Sequence, residues 1–190
     1  MGTLTTDRFW NTNKAYGFDG VDDYIRVSND VSLDLPSIFS FSAWIKPTTL
    51  TTDSQVIIAK DNGSGRSYLF AFDSNGKLVG SVRNTTGQYT QYRTNNIVLA
   101  PNEWQLVTLV YDGNAGTDKK MRFYVGNSNV SSSHISHYDS GGTPENSKDA
   151  VSIARALASL IDVVDFIRLS QLFVVLRVTM YVCLIMKKGD

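Results

Sequence analysis

The chain has 190 residues, of which 42% are hydrophobic, and its 18 lysines and arginines balance its 18 aspartates and glutamates. This length and apolar content suit one globular domain with a substantial core and exclude a disordered chain. Because there is no excess of positive charge, the composition gives no reason to expect a nucleic acid as partner.

The acidic residues are almost all aspartates, since Glu103 and Glu145 are the only glutamates. Aspartate and glycine favour turns, whereas glutamate favours helices, so the composition predicts a β-rich fold. The single cysteine, Cys183, excludes an internal disulfide and a cysteine-based zinc site. The first residues lack the basic-then-apolar pattern of a secretory signal.

The first predicted elements are two short strands, residues 15–18 and 24–27, joined by a tight acidic turn. Gly20 accepts a positive φ, and aspartate side chains bond their own backbone in turns. Asp19, Asp22 and Asp23 would repel one another unless a cation or backbone donors held them. A solvated hairpin turn and a metal site are therefore the two interpretations of this stretch.

The segment from Ile38 to Pro47 alternates strictly between two faces. Phe39, Phe41, Ala43 and Ile45 share one face, as expected for a half-buried antiparallel strand that Pro47 ends. Further short strands, separated by Asn, Asp and Gly turns, predict a sandwich or barrel. They are predicted at residues 55–60, 67–73, 77–83, 88–94, 104–111, 120–125, 151–153 and 160–169.

Residues 127–149 are polar and lack periodicity, which predicts a long surface connection. It holds both histidines, His134 and His137, but no third metal ligand lies nearby, so solvated loop histidines are expected. Residues 172–186 form an apolar tail of fifteen residues that Arg177 interrupts. The tail falls short of the roughly twenty residues of a membrane-spanning helix, and its β-branched content favours one or two buried strands over a membrane anchor.

Several of these landmarks, taken together, resemble the laminin G-like domains of the concanavalin A-like lectin/glucanase superfamily. They are AYGFDGVDDYI at 15–25, FSFSAWIKP at 39–47, NEW at 102–104, YDG at 111–113 and MRFYV at 121–125. The resemblance implies an all-β jelly roll of two antiparallel sheets, in an extracellular or surface protein that binds glycans or other ligands. It divides the chain into an N-terminal extension (1–14), a jelly-roll domain (15–170) and an apolar C-terminal tail (171–190).

The resemblance also implies a structural calcium where the first and last strands of the domain meet. The matching positions are Asp19, the backbone carbonyl of Gly20, and Asp162 from a closing strand, and oxygen-only ligands suit Ca²⁺.

Catalysis is not expected, because glycoside hydrolysis needs two neighbouring carboxylates. Neither Glu103 nor Glu145 has such a companion in the sequence.

A carbohydrate site is expected to combine aromatic faces with planar polar side chains. One turn-rich region and one strand supply both, although strand alternation places Tyr89 and Tyr92 on opposite faces, and a neighbouring loop could bury Trp44 instead. The candidate ligand-binding residues are Trp44, Arg83, Asn84, Tyr89, Gln91, Tyr92 and Arg93.

The sequence thus predicts a non-catalytic carbohydrate-binding or surface-recognition module with a glycan or cell-surface ligand. The alternative is a structural or adhesive domain that assembles with other chains, in which case self-association would run through the apolar tail. A membrane is not the expected partner.

Overall fold

The computed structural model describes residues 2–50, 55–61, 66–135, 141–145, 147 and 149–154, together with the backbone of strands at 158–162, 167–169, 172–179 and 181–188. Two seven-stranded antiparallel sheets pack face to face, as in a jelly-roll sandwich. The predicted fold class is confirmed. In this part of the chain no helix is long and apolar enough to cross a membrane.

The strands, numbered in chain order, divide among three sheets. The first sheet has the order β1 (Thr3–Thr5), β2 (Ala15–Asp19), β14 (Ala158–Asp162), β4 (Ile38–Pro47), β9 (Gln105–Asp112), β10 (Met121–Val125) and β11 (Ser128–Val130). The second has the order β12 (Ser132–His134), β8 (Tyr89–Thr94), β7 (Leu78–Arg83), β6 (Arg66–Phe72), β5 (Gln55–Asp61), β13 (Val151–Ile153) and β3 (Ile25–Val27). The third comprises β15 (Ile167–Leu169), β16 (Leu172–Thr179) and β17 (Tyr181–Lys188), and one 3-10 turn covers Val31–Leu33.

The core lies between the two large sheets and is rich in aromatic rings. Phe70 of the second sheet packs against Phe123 of the first with ring centroids 6.3 Å apart, and Tyr68 lies 5.3 Å from Phe41. The alternation predicted for β4 holds, since Phe39, Phe41 and Ile45 are buried. Inward-facing residues from both sheets interdigitate in this way in β-sandwiches.

The predicted N-terminal extension is in part a strand of the fold. Strand β1 pairs with β2, with Thr3 opposite Gly17 and Thr5 opposite Ala15. Pairing satisfies backbone groups that β2 would otherwise expose at the sheet edge. Part of the chain before residue 15, Thr3–Thr5, therefore belongs to the first sheet.

The predicted hairpin between the first two domain strands is wrong. Strand β2 pairs with β1 and β14 in the first sheet, whereas β3 pairs with β13 in the second. Phe18 and Ile25 are both buried in the same core, and they reach it from opposite sheets. The acidic segment between them is thus a crossing from one sheet to the other, and Gly20 adopts a φ of 81° at its start.

The predicted strand at 160–169 is two strands in different sheets. Strand β14 lies between β2 and β4 and closes the first sheet, as the family resemblance implied, while β15 pairs with β16. The apolar tail forms β16 and β17, an antiparallel pair in which Leu172 lies opposite Lys188. Two strands are the outcome that its β-branched composition predicted.

The polar stretch 127–149 also contains two strands that its composition did not predict. Strand β11 pairs with β10, and β12 pairs with β8, so each extends a sheet at its edge. His134 belongs to β12, and its ring lies 5.3 Å from that of buried Tyr92, so it is not a solvated loop residue. His137 lies outside the described residues.

Candidate carbohydrate-binding site

The predicted ligand-binding residues of β8 divide between its two faces. Thr90, Tyr92 and Thr94 point into the sandwich and are buried, while Tyr89 and Arg93 are exposed on the outer face with Gln91 between them. This is the alternation expected of a strand with one solvated face. The strand therefore presents three of the predicted residues together: Tyr89, Gln91 and Arg93.

These outward side chains already have partners in the fold. The Arg83 guanidinium carbon lies 5.8 Å from the ring centroid of Tyr89, and Arg83 also forms an ion pair with Glu145. Arg93 lies 3.6 Å from the carboxylate of Asp73. A ligand on this face would compete with those contacts.

Asn84 and Tyr92 are not available at the surface, which corrects the prediction for both. The Asn84 side-chain oxygen accepts hydrogen bonds from the backbone N–H groups of Thr86 and Gln88, each at 3.0 Å, so it shapes the turn between β7 and β8. Tyr92 lies in the core, where its hydroxyl accepts from the backbone N–H of Lys120 at 3.5 Å.

Trp44 belongs to the other large sheet and lies on its outer face. The guanidinium carbon of Arg8 sits 4.5 Å from the Trp44 ring centroid and 4.3 Å from that of Phe9. The N-terminal segment thus covers part of the indole, and Trp44 is only half exposed. Trp44 and the β8 residues lie on different sheets and do not form one site.

The predicted calcium ligands are not brought together by the strand register. Asp19 pairs with Ala158, and Asp162 comes four residues later and pairs with Trp44 of β4. At the usual rise of a strand this separates the two aspartates by about 13 Å along β14. The strand register therefore does not bring Asp19 and Asp162 together, as a shared calcium site would require.

Backbone donors satisfy Asp19. One of its oxygens accepts from the N–H of Val21 at 2.8 Å and from those of Asp22 and Asp23, each at 3.4 Å. The Val21 hydrogen bond is the main cause that lowers the pKa of Asp19 below its usual value. Candidate ligand atoms of Asp19, Asp22 and Asp23 lie within 4.8 Å of one another. Calcium binding at Asp19 and Gly20 stays a prediction, which melting curves with Ca²⁺ and with a chelator would check.

A pocket of about 380 Å³ lies at one end of the first sheet, between the N-terminal segment and the loop before β9. Its walls combine indole rings with charged and polar side chains. The lining residues are Thr5, Thr6, Asp7, Arg8, Trp10, Lys46, Asn102 and Trp104. This volume is within the range of small-molecule sites, and two indoles with a few convergent polar groups are what such sites need.

Asp7 holds the N-terminal wall of the pocket in place. One carboxylate oxygen accepts from the backbone N–H of Phe9 and from that of Asn11, each at 2.8 Å, and the other accepts from the Asn11 side-chain amide at 3.0 Å. Burial of Asp7 would raise its pKa, but the hydrogen bonds from Asn11 and Phe9 outweigh burial and hold the pKa below its usual value. Asp7 therefore remains ionised within its loop near neutral pH.

The Asp7 loop presents Trp10 to solvent. Trp10 is 86% exposed, and its backbone is left-handed with φ of 66°. Residues other than glycine rarely adopt this conformation. The Trp10 N–H donates to the Asp7 carbonyl at 3.2 Å, which helps to fix this conformation. Such strain points to a functional constraint when it is observed beside a pocket.

The opposite wall is built by the loop before β9. Asn102 also has a left-handed backbone, with φ of 61°, and its N–H donates to the carbonyl of Pro47 at 2.6 Å. Trp104 directly precedes Gln105, which pairs with Ile45, so Trp104 comes beside Lys46 at the end of the β4–β9 ladder. The loop before β9 is therefore anchored to β4.

Sequence reasoning missed this pocket. Trp104 contributed only to the family landmark at 102–104, and Trp10 fell within the predicted N-terminal extension. The sequence does contain a sign of an exposed aromatic site. Between Asp7 and Asn11 it has an Arg-Phe-Trp run, and no neighbouring apolar residues indicate that the two large rings are buried. Only the pairing of β1 with β2 brings that run to the sheet.

Comparison with known proteins agrees with the observed fold. The laminin G family model described as "Concanavalin A-like lectin/glucanases superfamily" matches residues 19–162, which is more than half of the chain. A comparison with curated proteins gave no significant match.

Solved structures with the same fold include binding domains of botulinum neurotoxins. The neurotoxin DC binding domain, solved in complex with "SialylT", superposes with a TM-score of 0.55 at 15% identity over 85% of this chain and 39% of that chain. The serotype D binding domain gives a TM-score of 0.55 at 14% identity over 84% of this chain and 40% of that chain. The serotype C1 binding domain gives 0.52 at 14% identity with the same coverage. This chain spans about two fifths of these structures, and the similarity concerns the fold.

Proposed function

Because the chain belongs to the concanavalin A-like lectin/glucanases superfamily, we propose that it is a non-catalytic carbohydrate-binding module whose ligand occupies the pocket between Trp10 and Trp104. The observation that carries the proposal is the exposed Trp10 indole, held in a left-handed backbone at the rim of a pocket with aromatic and polar walls. A surface or extracellular location fits such a module.

The chemistry of the pocket suits a sugar. Indole faces stack on the apolar faces of sugar rings, and Asn102, Thr5 and Thr6 offer amide and hydroxyl groups to the ring hydroxyls. An exposed tryptophan costs little to bury on binding, since its ring has few rotamers and a large apolar area. The same features give no acid and base pair for hydrolysis.

The outer face of β8 is the second candidate location for the ligand. Tyr89, Gln91 and Arg93 lie side by side there and would offer one ring and two planar polar groups. The pocket is preferred because the two arginines nearest to this face already pair with Glu145 and Asp73.

A structural or adhesive role is the alternative function, and one observation favours it. Strand β17, with the sequence YVCLIMKK, is at the edge of the third sheet. An edge strand of apolar sequence offers backbone groups to a second chain. Assembly through this edge would make the domain a connector without a saccharide ligand.

A glycan array probed with the full chain tests the proposal against this alternative. Reproducible binding to a group of related glycans, abolished by Trp10→Ala and retained by Tyr24→Ala, is the expected result. Tyr24 is a matched control because it is an exposed aromatic residue that does not line the pocket. Absence of glycan binding, together with a self-associated species in light scattering, would overturn the proposal in favour of assembly. Release of reducing sugar from a bound glycan would contradict the non-catalytic assignment.

A further inference from the structure

We infer that the saccharide taken by the Trp10–Trp104 pocket carries a carboxylate, and that Lys46 is the residue that pairs with it. This inference rests on the proposed function and adds the chemical class of the ligand. It comes from the positive charge of Lys46 on the pocket wall, which a neutral sugar would leave without a counterpart.

Lys46 is a cation on the wall of the pocket. It lies on the outer face of β4, two residues after Trp44, and it lines the pocket while half buried. In the part of the chain that the structure describes, Lys46 forms no ion pair. A cationic side chain on a concave, partly apolar wall attracts an anion more strongly than one on an open surface, because screening by water is weaker there.

The other charges of the pocket do not neutralise Lys46. Among the described residues that line the pocket, Asp7 is the only acid, and its two oxygens accept hydrogen bonds from its own loop, one from Phe9 and Asn11 and the other from Asn11 alone. Asp7 is only 7% exposed, so little of its carboxylate faces the pocket. The Arg8 guanidinium stacks on the rings of Phe9 and Trp44, and its charge acts on Asp7, where it helps to lower the pKa of that carboxyl.

The arrangement separates two tasks. Trp10 and Trp104 contact the ring whether or not the sugar is charged, while Lys46 favours an anionic substituent. A charge-assisted hydrogen bond from an ammonium group to a carboxylate is about twice as strong as a neutral one. Removal of Lys46 should therefore reduce affinity for acidic sugars and leave neutral ones almost unchanged.

The test compares carboxylated saccharides with neutral counterparts of the same linkage. Uronic-acid oligosaccharides are compared with the methyl esters of their carboxylates. Sialylated glycans are compared with the same glycans after desialylation. Titration calorimetry with the full chain should show at least tenfold tighter binding of the carboxylated members. Lys46→Gln should abolish that preference, Lys46→Arg should keep it, and Lys119→Gln, at an exposed lysine away from the pocket, should have no effect. Added salt should weaken only the carboxylated ligands.

Each other outcome overturns a defined part of the account. Equal affinity for carboxylated and neutral members would refute the acidic class while the proposed function stands. A preference that survives Lys46→Gln would refute the role of Lys46, and binding of sulfated glycans alone would refute the carboxylate. If no saccharide binds, the proposed function fails and this inference fails with it.

Discussion

The carboxylate of Asp7 and the amide groups of Asn11 close the N-terminal loop with two hydrogen bonds, one to the backbone N–H at 2.8 Å and one to the side chain at 3.0 Å. These hydrogen bonds determine where Trp10 lies, because they close the loop from Asp7 to Asn11 that contains it. Asp7 and Asn11 are thus expected to control ligand binding through the position of Trp10.

Substitution of Asp7 tests this control. Asp7→Ala removes both side-chain acceptors of the loop, so we expect a lower melting temperature and weaker glycan binding. Asp7→Asn keeps one carbonyl oxygen, which can still accept from the Phe9 and Asn11 backbones, and it should lose less of both. Thermal melts and titrations of the two variants check the order; equal losses in both variants would mean that the charge, and not the hydrogen bonds, holds the loop.

The pH dependence of stability follows from the lowered pKa of Asp7. A carboxyl whose folded pKa is lower than its unfolded value, about 3.9, binds fewer protons in the folded state. Its contribution is therefore present above about pH 4 and is lost as the pH falls through the folded pKa. Melting temperatures of the wild type and Asp7→Asn should differ at pH 6 and converge in strong acid. A difference that persists unchanged at pH 2 would contradict the assignment.

Replacement of Trp10 should separate binding from stability. Trp10→Ala should weaken glycan binding by at least tenfold, which is about 1.4 kcal/mol. Its effect on the melting temperature should be small, because the side chain is 86% exposed. Trp10→Gly should lose binding equally and gain about 1 kcal/mol of stability relative to Trp10→Ala, since glycine adopts the φ of 66° without strain. Denaturant unfolding checks the difference; a less stable glycine variant would show that the left-handed backbone is not strained.

The buried ion pair between Lys60 and Asp34 should matter for stability and not for binding. Lys60 is 1% exposed, and its amine lies 2.7 Å from the Asp34 carboxylate. Lys60→Ala leaves the carboxylate without its partner and should destabilise the fold by about 3 kcal/mol. Arg66→Ala breaks the more exposed pair with Asp61, at 2.8 Å, and should cost at most about 1 kcal/mol. Chemical denaturation compares the two; similar losses would mean that burial does not strengthen the inner pair.

Much of the fold could be predicted from the sequence because alternation is a local signal. The inward face of β4, with Phe39, Phe41 and Ile45, could be assigned by alternation alone. The partners of each strand could not be predicted, because pairing depends on segments that are distant in the sequence. Phe18 and Ile25 belong to adjacent strands in the chain and yet lie in opposite sheets.

The candidate site was harder to predict for the same reason. Alternation correctly separated Tyr89 from Tyr92, since both are on one strand. The pocket instead joins residues 5–10 to Lys46 and Asn102–Trp104, and no local pattern connects those positions. Asn84 was wrongly predicted to bind the ligand, because its planar amide suits a sugar. Its side chain instead accepts hydrogen bonds within its own turn.

The most direct test of the central claim follows the three indole N–H signals of the chain, from Trp10, Trp44 and Trp104, by ¹⁵N NMR during titration with a glycan selected on the array. If the ligand occupies the pocket, the signals of Trp10 and Trp104 shift with the same affinity, while that of Trp44, beneath Arg8, changes less. The signals of the backbone amides of Tyr89, Gln91 and Arg93 should not shift. Shifts confined to those β8 amides, with the indole signals of Trp10 and Trp104 unmoved, would contradict binding in the pocket.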